Sequence, residues 1–539
     1  MTLIIDIISL LITIIAMYFI GVYNLHMFQQ NTYINSEHAV WLEKFNERQR
    51  VLLLSLIFGL LVEIALEVSK EGFIGIFYVF IAIVMLIYYI KIEKLPMKKP
   101  LVWTDRAKRI FITYLILNLI LAAAVGFLIS KKIGYNYAFM GIWVLISPYL
   151  MILSNIINYP IEKYVRNYYI NDAKKILKKM PDMRIIGITG SYGKTSVKYY
   201  LETLLKSKFN VVKTPASFNT PMGIVKTIRE DIKPDTEIFL CEMGARKVGE
   251  IKELCDIAHP DDGVITSIGP QHLETFLSME NIVSTKYELG DAVNQKGNGR
   301  LFLNMDCDYV RNNCEKYKDI VPYYVNGKKE TKNPELFING YYATDVKVND
   351  IGTEFTMHTP NGEIETYQMK LIGAHNVINV VGAIAVANIY GIPLNKLKTQ
   401  VRRLRPAPHR LSIIPKGNIT IIDDAYNSNP VGSKAAVETL AMFSGVKILI
   451  TPGMVELGDK EEEYNKAFGN YAAECCDYVA LVGEKHTKPI YEGLIEKSFD
   501  KNKIFVCERL SEAMEFVTKI NAEDKKKFVL LENDLTDNY

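Results

Sequence analysis

The sequence predicts an α/β protein with an N-terminal transmembrane region of five helices, a central nucleotide-binding domain and a smaller, Rossmann-like C-terminal domain. Three observations support this fold class. Long apolar segments fill the first 160 residues, strand-like and helix-like runs alternate from about residue 181 onward, and a glycine-rich loop at 187–196 joins a strand-like run to a helix-like one. Such alternation is typical of parallel sheets with crossover helices.

We therefore expect four regions along the chain. They are a transmembrane region at 1–160, a basic juxtamembrane linker helix at 161–180, the nucleotide-binding domain at 181–402 and the C-terminal domain at 403–539. Prolines at 393, 406 and 408 favour an interdomain hinge. A turn-rich stretch at 321–372 with alternating residues predicts an antiparallel β insert.

The apolar segments predict a multi-pass protein of the plasma membrane. Five of them are long enough to cross about 30 Å of hydrocarbon, and they lie at 3–21, 51–68, 73–90, 110–130 and 137–157. Lysine and arginine are concentrated between the third and fourth segments and after the fifth. Because basic loops stay on the cytoplasmic side, we expect the N-terminus outside and the two domains after residue 180 in the cytoplasm. For Asp6 and Glu63, the two acids within these segments, positions at an interface or facing another helix are favoured.

The net charge and the cysteine content give no support to nucleic-acid binding or to a cysteine metal site. The net charge of +3 gives no argument for nucleic-acid binding, and the seven cysteines have no metal-type spacing. The predicted linker helix mixes tyrosine with lysine and arginine. Attraction to anionic membrane lipids and a solvated linker remain equally open for it.

The glycine-rich loop predicts a phosphate-binding site. A strand, a glycine-rich turn and a helix N-terminus direct backbone N–H groups and the helix dipole at an anion. Lys194 reaches the terminal phosphates and Thr195 places its hydroxyl on Mg2+. Ile188 stands where a strict Walker A motif has glycine, so the loop alone leaves a generic P-loop NTPase open. The predicted contacts are Gly190, Ser191, Gly193, Lys194, Thr195 and Ser196.

A series of motifs in order resembles the Mur ligase family. They are TGSYGKTS, SFNTPMG (217–223), CEMGAR (241–246), SIGPQHLETF (267–276), STKYE (284–288), GAHNVIN (373–379), PAPHRL (406–411), DDAYNSNP (423–430) and PGMVELG (452–458). The similarity covers about residues 181 to 485, and it is closest to the ligase of MurF type, which adds D-alanyl-D-alanine. In this family a substrate carboxylate attacks the γ-phosphate of ATP, and an amine then displaces phosphate from the acyl phosphate.

The resemblance implies ATP and two Mg2+ sites, and it assigns roles to residues of this chain. The implied catalytic residues are Lys194, His272, Lys286 and Arg410, and the implied metal ligands are Thr195, Glu242, His272 and Lys286. Lys286 matches a lysine that many members carry as a carbamate. The alternative is an unmodified lysine paired with the substrate carboxylate or with Glu288.

Further nucleotide contacts are implied in the second half of the chain. His375 and Asn376 correspond to residues beside the adenine, and Arg410 to an arginine that reaches the phosphates when the domains close. Asp424 and Asn427, with Tyr426, correspond to a motif around the ribose. We expect closure around the hinge to complete the site and expel water.

Two departures from the family decide the functional hypothesis. Membrane segments stand where the family has its UDP-binding N-terminal domain, and the Lys-Gly-Ser-Arg end of MurF-type enzymes is replaced by the residues at 530–539. The sequence therefore favours a ligase that joins an amino acid or dipeptide to a carboxylate of a lipid-linked envelope precursor. A tethered MurF-type ligase with a UDP-linked substrate, an ATP-driven transporter and an inactive scaffold are the alternatives.

Overall fold

The structure is a computed structural model that describes most of the chain. The described residues are 2–43, 47–69, 72–93, 99–131, 135–215, 218–325, 334–337, 339–349, 352–425, 428–523 and 525–534. Contacts divide the chain into one unit that ends at Asn167 and a second unit, Tyr168–Asp534. This division falls inside the predicted linker helix at 161–180.

The described part of the first unit is helical. Its helices are α1 (Thr2–Gln30), α2 (Asn35–Glu43), α3 (Glu47–Ser69), α4 (Ile76–Glu93), α5 (Asp105–Lys131) and α6 (Asn136–Lys178), the last of which continues into the second unit. Among the described residues, four stretches are long and apolar enough to cross a membrane, namely Leu3–Gln30, Arg50–Ser69, Asp105–Lys131 and Asn136–Lys178.

The predicted count of five spanning helices is not confirmed. The third predicted segment, 73–90, coincides with α4, whose apolar stretch Ile76–Lys91 is shorter than the other four. At a rise of 1.5 Å per residue, this stretch is about 24 Å long, which is less than the hydrocarbon thickness of about 30 Å.

The two acidic residues of the apolar segments stabilise one end of the bundle. Glu63 accepts hydrogen bonds from the backbone N–H groups of Tyr135 and Tyr137, at 2.6 and 3.0 Å, and so caps the N-terminus of α6. The buried Asp6 accepts a hydrogen bond of 2.6 Å from the Tyr137 hydroxyl. Both carboxylates therefore have structural partners on another helix.

Polar contacts also join the helices at the opposite end of the bundle. Arg109 forms a bidentate pair with Glu162, with N···O distances of 2.7 and 3.1 Å. The guanidinium of Arg106 lies 4.4 Å from the ring centroid of Tyr33. Since an arginine in an apolar bundle is favourable only with such partners, these contacts explain how the basic ends of α5 and α6 pack.

The first part of the second unit contains a nine-stranded sheet in the order β2-β3-β1-β4-β5-β6-β7-β8-β9. Its strands are β1 (Arg184–Thr189), β2 (Val211–Lys213), β3 (Ile238–Glu242), β4 (Asp262–Ile265), β5 (Leu301–Asn304), β6 (Ile320–Val325), β7 (Tyr341–Asn349), β8 (Gly352–His358) and β9 (Ile364–Met369). The pairs up to β6–β7 are parallel, whereas β7, β8 and β9 pair antiparallel. The predicted antiparallel stretch therefore extends the main sheet.

Helices cover both faces of this sheet. They are α7 (Lys194–Leu205), α8 (Pro221–Glu230), α9 (Glu250–Ala258), α10 (Leu273–Phe276), α11 (Met279–Lys296), α12 (Asp308–Arg311), α13 (Ala374–Ile389) and α14 (Leu394–Arg403). Ile186 and Ile188 pack with α7 and α13, whereas Ile185 packs on the other face with α8, α9 and the end of α6. This alternation follows from the two-residue period of a strand.

The C-terminal part forms a second, mostly parallel sheet in the order β10-β11-β15-β12-β13-β14. Its strands are β10 (Ser412–Lys416), β11 (Ile419–Asp424), β12 (Val446–Thr451), β13 (Tyr478–Val482), β14 (Ile504–Cys507) and β15 (Lys527–Glu532). Its helices are α15 (Pro430–Ala441), α16 (Glu461–Cys475), α17 (Glu484–Glu496) and α18 (Leu510–Lys519). Only β10 is antiparallel to its neighbour, so the predicted α/β architecture is confirmed here.

Candidate nucleotide and metal site

The glycine-rich loop connects β1 to α7, as its sequence predicts. Gly190 and Gly193 have φ values of 146° and 82°, which L-residues rarely adopt. A Cβ atom added to Gly190 would lie 2.1 Å from Thr266 Oγ1. The backbone N–H of Ser191 donates to the carbonyl oxygen of Ser267 at 2.7 Å. The loop is therefore held tightly against the residues that follow β4.

The N-terminus of α7 is the part of this loop with anion-binding capacity. Gly193 precedes the helix and no side chain caps it, so the first N–H groups of α7, including those of Thr195 and Ser196, have no capping side chain. Lys194 Nζ donates to the carbonyl oxygens of Gly190 and Ser191, at 2.7 and 2.9 Å. Both features place donors where phosphate oxygens bind in a P-loop.

Glu242 ends β3 beside the start of α7. Its Oε1 accepts a hydrogen bond of 3.0 Å from the Thr195 hydroxyl. Its Oε2 lies 2.8 Å from Nζ of Lys198, and the two side chains are 2% and 0% exposed. Sequence reasoning missed Lys198, because a lysine in an amphipathic helix is ordinarily assigned to the solvent side.

The oxygen donors of Thr195 and Glu242 fit a magnesium ion. Mg2+ binds through one or two protein oxygens, water and substrate phosphates rather than through an all-protein cage. Among the described residues, no group of three or more histidine, cysteine, aspartate or glutamate side chains is placed to hold a metal ion.

His272 lies at the N-terminus of α10 with a left-handed φ of 53°. Its Nδ1 is hydrogen bonded to Oε2 of Glu456, and Oε1 of the same carboxylate lies 3.0 Å from Nη2 of Arg246. Burial lowers the pKa of His272, an effect that Glu456 partly opposes. Burial therefore favours the neutral imidazole, the form that binds metals. Sequence reasoning missed Glu456, although PGMVELG was among the motifs.

Lys286 lies in α11 and is 3% exposed. Burial, followed by the positive charge of Lys194, lowers the pKa of its amine to about 7. Glu288 instead accepts hydrogen bonds of 2.8 Å from the backbone N–H groups of Gly249 and Lys252 at the start of α9. Among the ion pairs between described residues, none involves Lys286, so a pair with Glu288 is not formed in this structure.

The GAHNVIN segment packs α13 against α7 and the loop. Asn376 Oδ1 accepts a hydrogen bond of 2.8 Å from the Tyr200 hydroxyl, and its Nδ2 donates to Ile372 O at 2.8 Å. His375 lies beside it, and burial lowers the pKa of that imidazole to about 4. Asn379, at the end of the same motif, approaches Gly193 so closely that a Cβ atom added to that glycine would lie 2.6 Å from Asn379 Oδ1.

Arg410 and Asp424 lie together at the start of the C-terminal part. Asp424 Oδ1 accepts a hydrogen bond of 3.2 Å from the backbone N–H of Leu411. Burial raises the pKa of Asp424 to about 6, and the charge of Arg410 opposes that rise. Asn427, with Tyr426, lies outside the described residues.

Lys194 is the electrostatic centre of the site. Its charge lowers the pKa of both His272 and Lys286. Burial lowers the pKa of Lys194 itself to about 8, with a further contribution from Arg410. The four residues predicted to be catalytic therefore share one electrostatic environment.

A P-loop at the carboxyl end of a parallel sheet, with a magnesium-type carboxylate beside it, defines a nucleotide-dependent enzyme. Two family models match the chain: the Mur ligase middle domain at residues 188–387, and the Mur ligase glutamate ligase domain at 409–531. The chain belongs to the Mur ligase family and is an ATP-dependent amide-bond ligase.

Individual relatives agree with this assignment. The UDP-N-acetylmuramoyl-tripeptide–D-alanyl-D-alanine ligase of Bacillus subtilis is 32% identical over 62% of this chain and 69% of its own length. The crystal structure of the MurF ligase from Thermotoga maritima in complex with ADP aligns with a TM-score of 0.59 and 25% identity, covering 68% of this chain and 80% of that one. MurF from Acinetobacter baumannii aligns with a TM-score of 0.60 and 24% identity, covering 68% and 77%.

Proposed function

We propose that this ligase works at the cytoplasmic face of the plasma membrane, as a multi-pass protein with its N-terminus outside. It joins an amino acid or a short peptide to a carboxylate of a membrane-held envelope precursor. The observation that carries the proposal is α6, one helix from Asn136 to Lys178 that begins in an apolar unit and ends in the core of the catalytic unit. A catalytic unit confined to the membrane surface meets a lipid-linked acceptor at a raised effective concentration.

The chemistry proceeds through an acyl phosphate. The acceptor carboxylate attacks the γ-phosphorus of ATP, ADP leaves, and the amine then attacks the acyl carbon with loss of phosphate. Lys194 and the start of α7 neutralise the charge that develops on the transferring phosphoryl group. Thr195 and Glu242 would hold one Mg2+, His272 and a modified Lys286 would hold a second, and Arg410 would approach the phosphates when the domains close.

A carbamate on Lys286 is the form that suits a second metal site. The neutral amine would attack the carbon of CO2 and lose a proton to solvent, which would leave a carbamate anion whose oxygen atoms can bind a metal ion. The burial of Lys286 and its lowered pKa support this reaction, because only the neutral amine is nucleophilic. Carbon-13 NMR of the protein in labelled bicarbonate should show a carbamate signal that the Lys286→Met variant lacks. A spectrum without that signal at pH 8 contradicts the modification.

The relatives favour a second candidate equally well. The Bacillus subtilis relative named above is a UDP-N-acetylmuramoyl-tripeptide–D-alanyl-D-alanine ligase, and the second candidate for this chain is a membrane-tethered enzyme of the same specificity. A transporter is a third possibility because of the apolar helices.

One assay separates the candidates. The full chain in lipid nanodiscs is given ATP, Mg2+ and either a lipid-linked peptide precursor or its UDP-linked counterpart, with amino acids or D-alanyl-D-alanine as amines. Phosphate release and the mass of the product are measured, with Lys194→Ala as the inactive control. Turnover with the lipid-linked acceptor supports the proposal, whereas full turnover with the UDP-linked acceptor alone rejects it. Phosphate release that requires neither an acceptor nor an amine, and that gives no amide product, is the outcome expected of the transporter alternative.

A further inference from the structure

Glu456 lies on a loop that the C-terminal sheet holds in a fixed shape. The loop follows β12, and the flanking Met454 and Leu457 are 1% and 2% exposed within the C-terminal core. The buried amide of Asn465 pairs with both the N–H and the carbonyl of Met454 at 2.8 Å. Glu456 itself has a φ of 64°, a conformation that persists in a non-glycine residue only when the surroundings enforce it.

The carboxylate of Glu456 reaches two loops of the central domain. Arg246 follows β3 and contacts Oε1 at 3.0 Å, and His272 follows β4 and is hydrogen bonded through Nδ1 to Oε2. Gly458 lies close to the same region, since a Cβ added there would be 3.7 Å from the Cα of Glu274. One side chain of the C-terminal domain therefore connects two catalytic loops of the other domain.

This contact determines which nitrogen of His272 is available. An imidazole that donates its Nδ1–H to a carboxylate keeps the lone pair of Nε2 for a metal ion, and such a partner also fixes the ring orientation. We propose that Glu456 is a positioning residue that holds His272 in its metal-binding tautomer. This inference rests on the metal role proposed for His272.

The position of Glu456 in the C-terminal domain links metal binding to the contact between the two domains. Since Glu456 is part of the C-terminal domain, the second metal site is complete only when the loop at 452–458 contacts the central domain. Metal affinity and domain approach are then coupled, because each stabilises the arrangement that the other requires.

The experiment measures metal binding rather than turnover. The full chain in detergent is saturated with a non-hydrolysable ATP analogue and titrated with Mn2+, which is followed by electron paramagnetic resonance. We compare Glu456→Ala, Glu456→Gln and the control Glu462→Ala, which removes an exposed carboxylate on α16. Glu456→Ala should weaken the second Mn2+ by 10- to 100-fold, the range found for partners of metal-bound histidines. Glu456→Gln should recover part of the affinity, because its amide oxygen still accepts the Nδ1–H.

The outcomes distinguish this inference from the proposed function. Wild-type affinity in Glu456→Ala, or equal losses in the alanine and glutamine variants, overturns the positioning role. The assay contains no acceptor, so a wrong choice of acceptor leaves its result unchanged. If Glu456→Ala does not fold, Glu456→Gln decides alone: an Mn2+ affinity below that of the wild type supports the role, because an amide holds the imidazole less strongly than a carboxylate does, and wild-type affinity overturns it.

Discussion

The buried pair of Lys198 and Glu242 gives the sharpest test of the site's architecture. The two side chains are 0% and 2% exposed, and their charged atoms are 2.8 Å apart. Replacing Lys198 by methionine leaves the Glu242 carboxylate buried without its cation. Breaking a buried pair in this way costs about 3–5 kcal/mol. At 1.4 kcal/mol per factor of ten, the opening of α7 and β3 should become roughly 100- to 4,000-fold more frequent.

Hydrogen exchange followed by mass spectrometry measures this opening on the full chain in detergent. Peptides that cover 194–205 and 238–242 should lose protection in Lys198→Met. The control is Lys226→Met on α8, where the lysine is 55% exposed and 3.9 Å from Glu230. A surface pair of this kind is worth about 0.3–0.5 kcal/mol, so exchange should barely change.

A double variant tests the physical reason. Lys198→Met combined with Glu242→Gln removes both charges, so its protection should exceed that of Lys198→Met alone, because a neutral amide is less costly to bury than an unpaired carboxylate. Unchanged protection in Lys198→Met, or a double variant that is less protected than it, would refute the reasoning.

Three further predictions concern the loop, the helical bundle and the C-terminal sheet. Gly193→Ala should lower the affinity for an ATP analogue, measured by calorimetry, about tenfold, because the left-handed φ costs about 1–2 kcal/mol and the new methyl group meets Asn379. The control is Gly297→Ala, where φ is 78° and the space around the glycine is open, so its nucleotide affinity should not change. Glu63→Ala should lower the thermal transition of the detergent-solubilised chain, since loss of a cap costs about 1 kcal/mol; an unchanged transition would show that the contacts to α6 are weak. Burial raises the pKa of Glu532 from 4.5 to about 7, so the folded chain binds this proton more tightly than the unfolded chain does, and stability should rise as pH falls from 8 toward 4.5. Glu532→Gln should therefore slow hydrogen exchange in β15 relative to wild type at pH 8 but not at pH 5. Equal ratios of the two exchange rates at both pH values would contradict the raised pKa.

Features that depend on residues adjacent in the sequence were predictable from the sequence. The apolar run at 185–188 gives β1, the glycines give the turn, and Lys194 and Thr195 follow as the first residues of α7. The number of spanning helices was less predictable, because an apolar run of sixteen residues and one of twenty look alike in composition. The criterion that separates them is length, and the apolar stretch Ile76–Lys91 of α4 is shorter than the other four.

Contacts between distant residues could not be predicted from these patterns. His272 and Glu456 are separated by 184 positions, and nothing in either motif indicates that a carboxylate of one domain meets the imidazole of the other. Lys198 is a different case. A lysine in an amphipathic helix is ordinarily assigned to the solvent side, and only the burial of Glu242 beneath α7 explains why this one faces inward.

The two asparagines of the GAHNVIN motif show how one helix can determine the loop geometry. Residues three apart lie on the same face of a helix, so Asn376 and Asn379 both face α7 and the loop before it. Asn376 bonds to Tyr200 within α7, whereas Asn379 approaches Gly193, the residue before that helix. Because α13 thus contacts both the helix and its N-terminal glycine, it fixes where the first N–H groups of α7 point. These contacts support a role for the motif in positioning the proposed phosphate-binding loop, and any contact with the adenine would be additional to it.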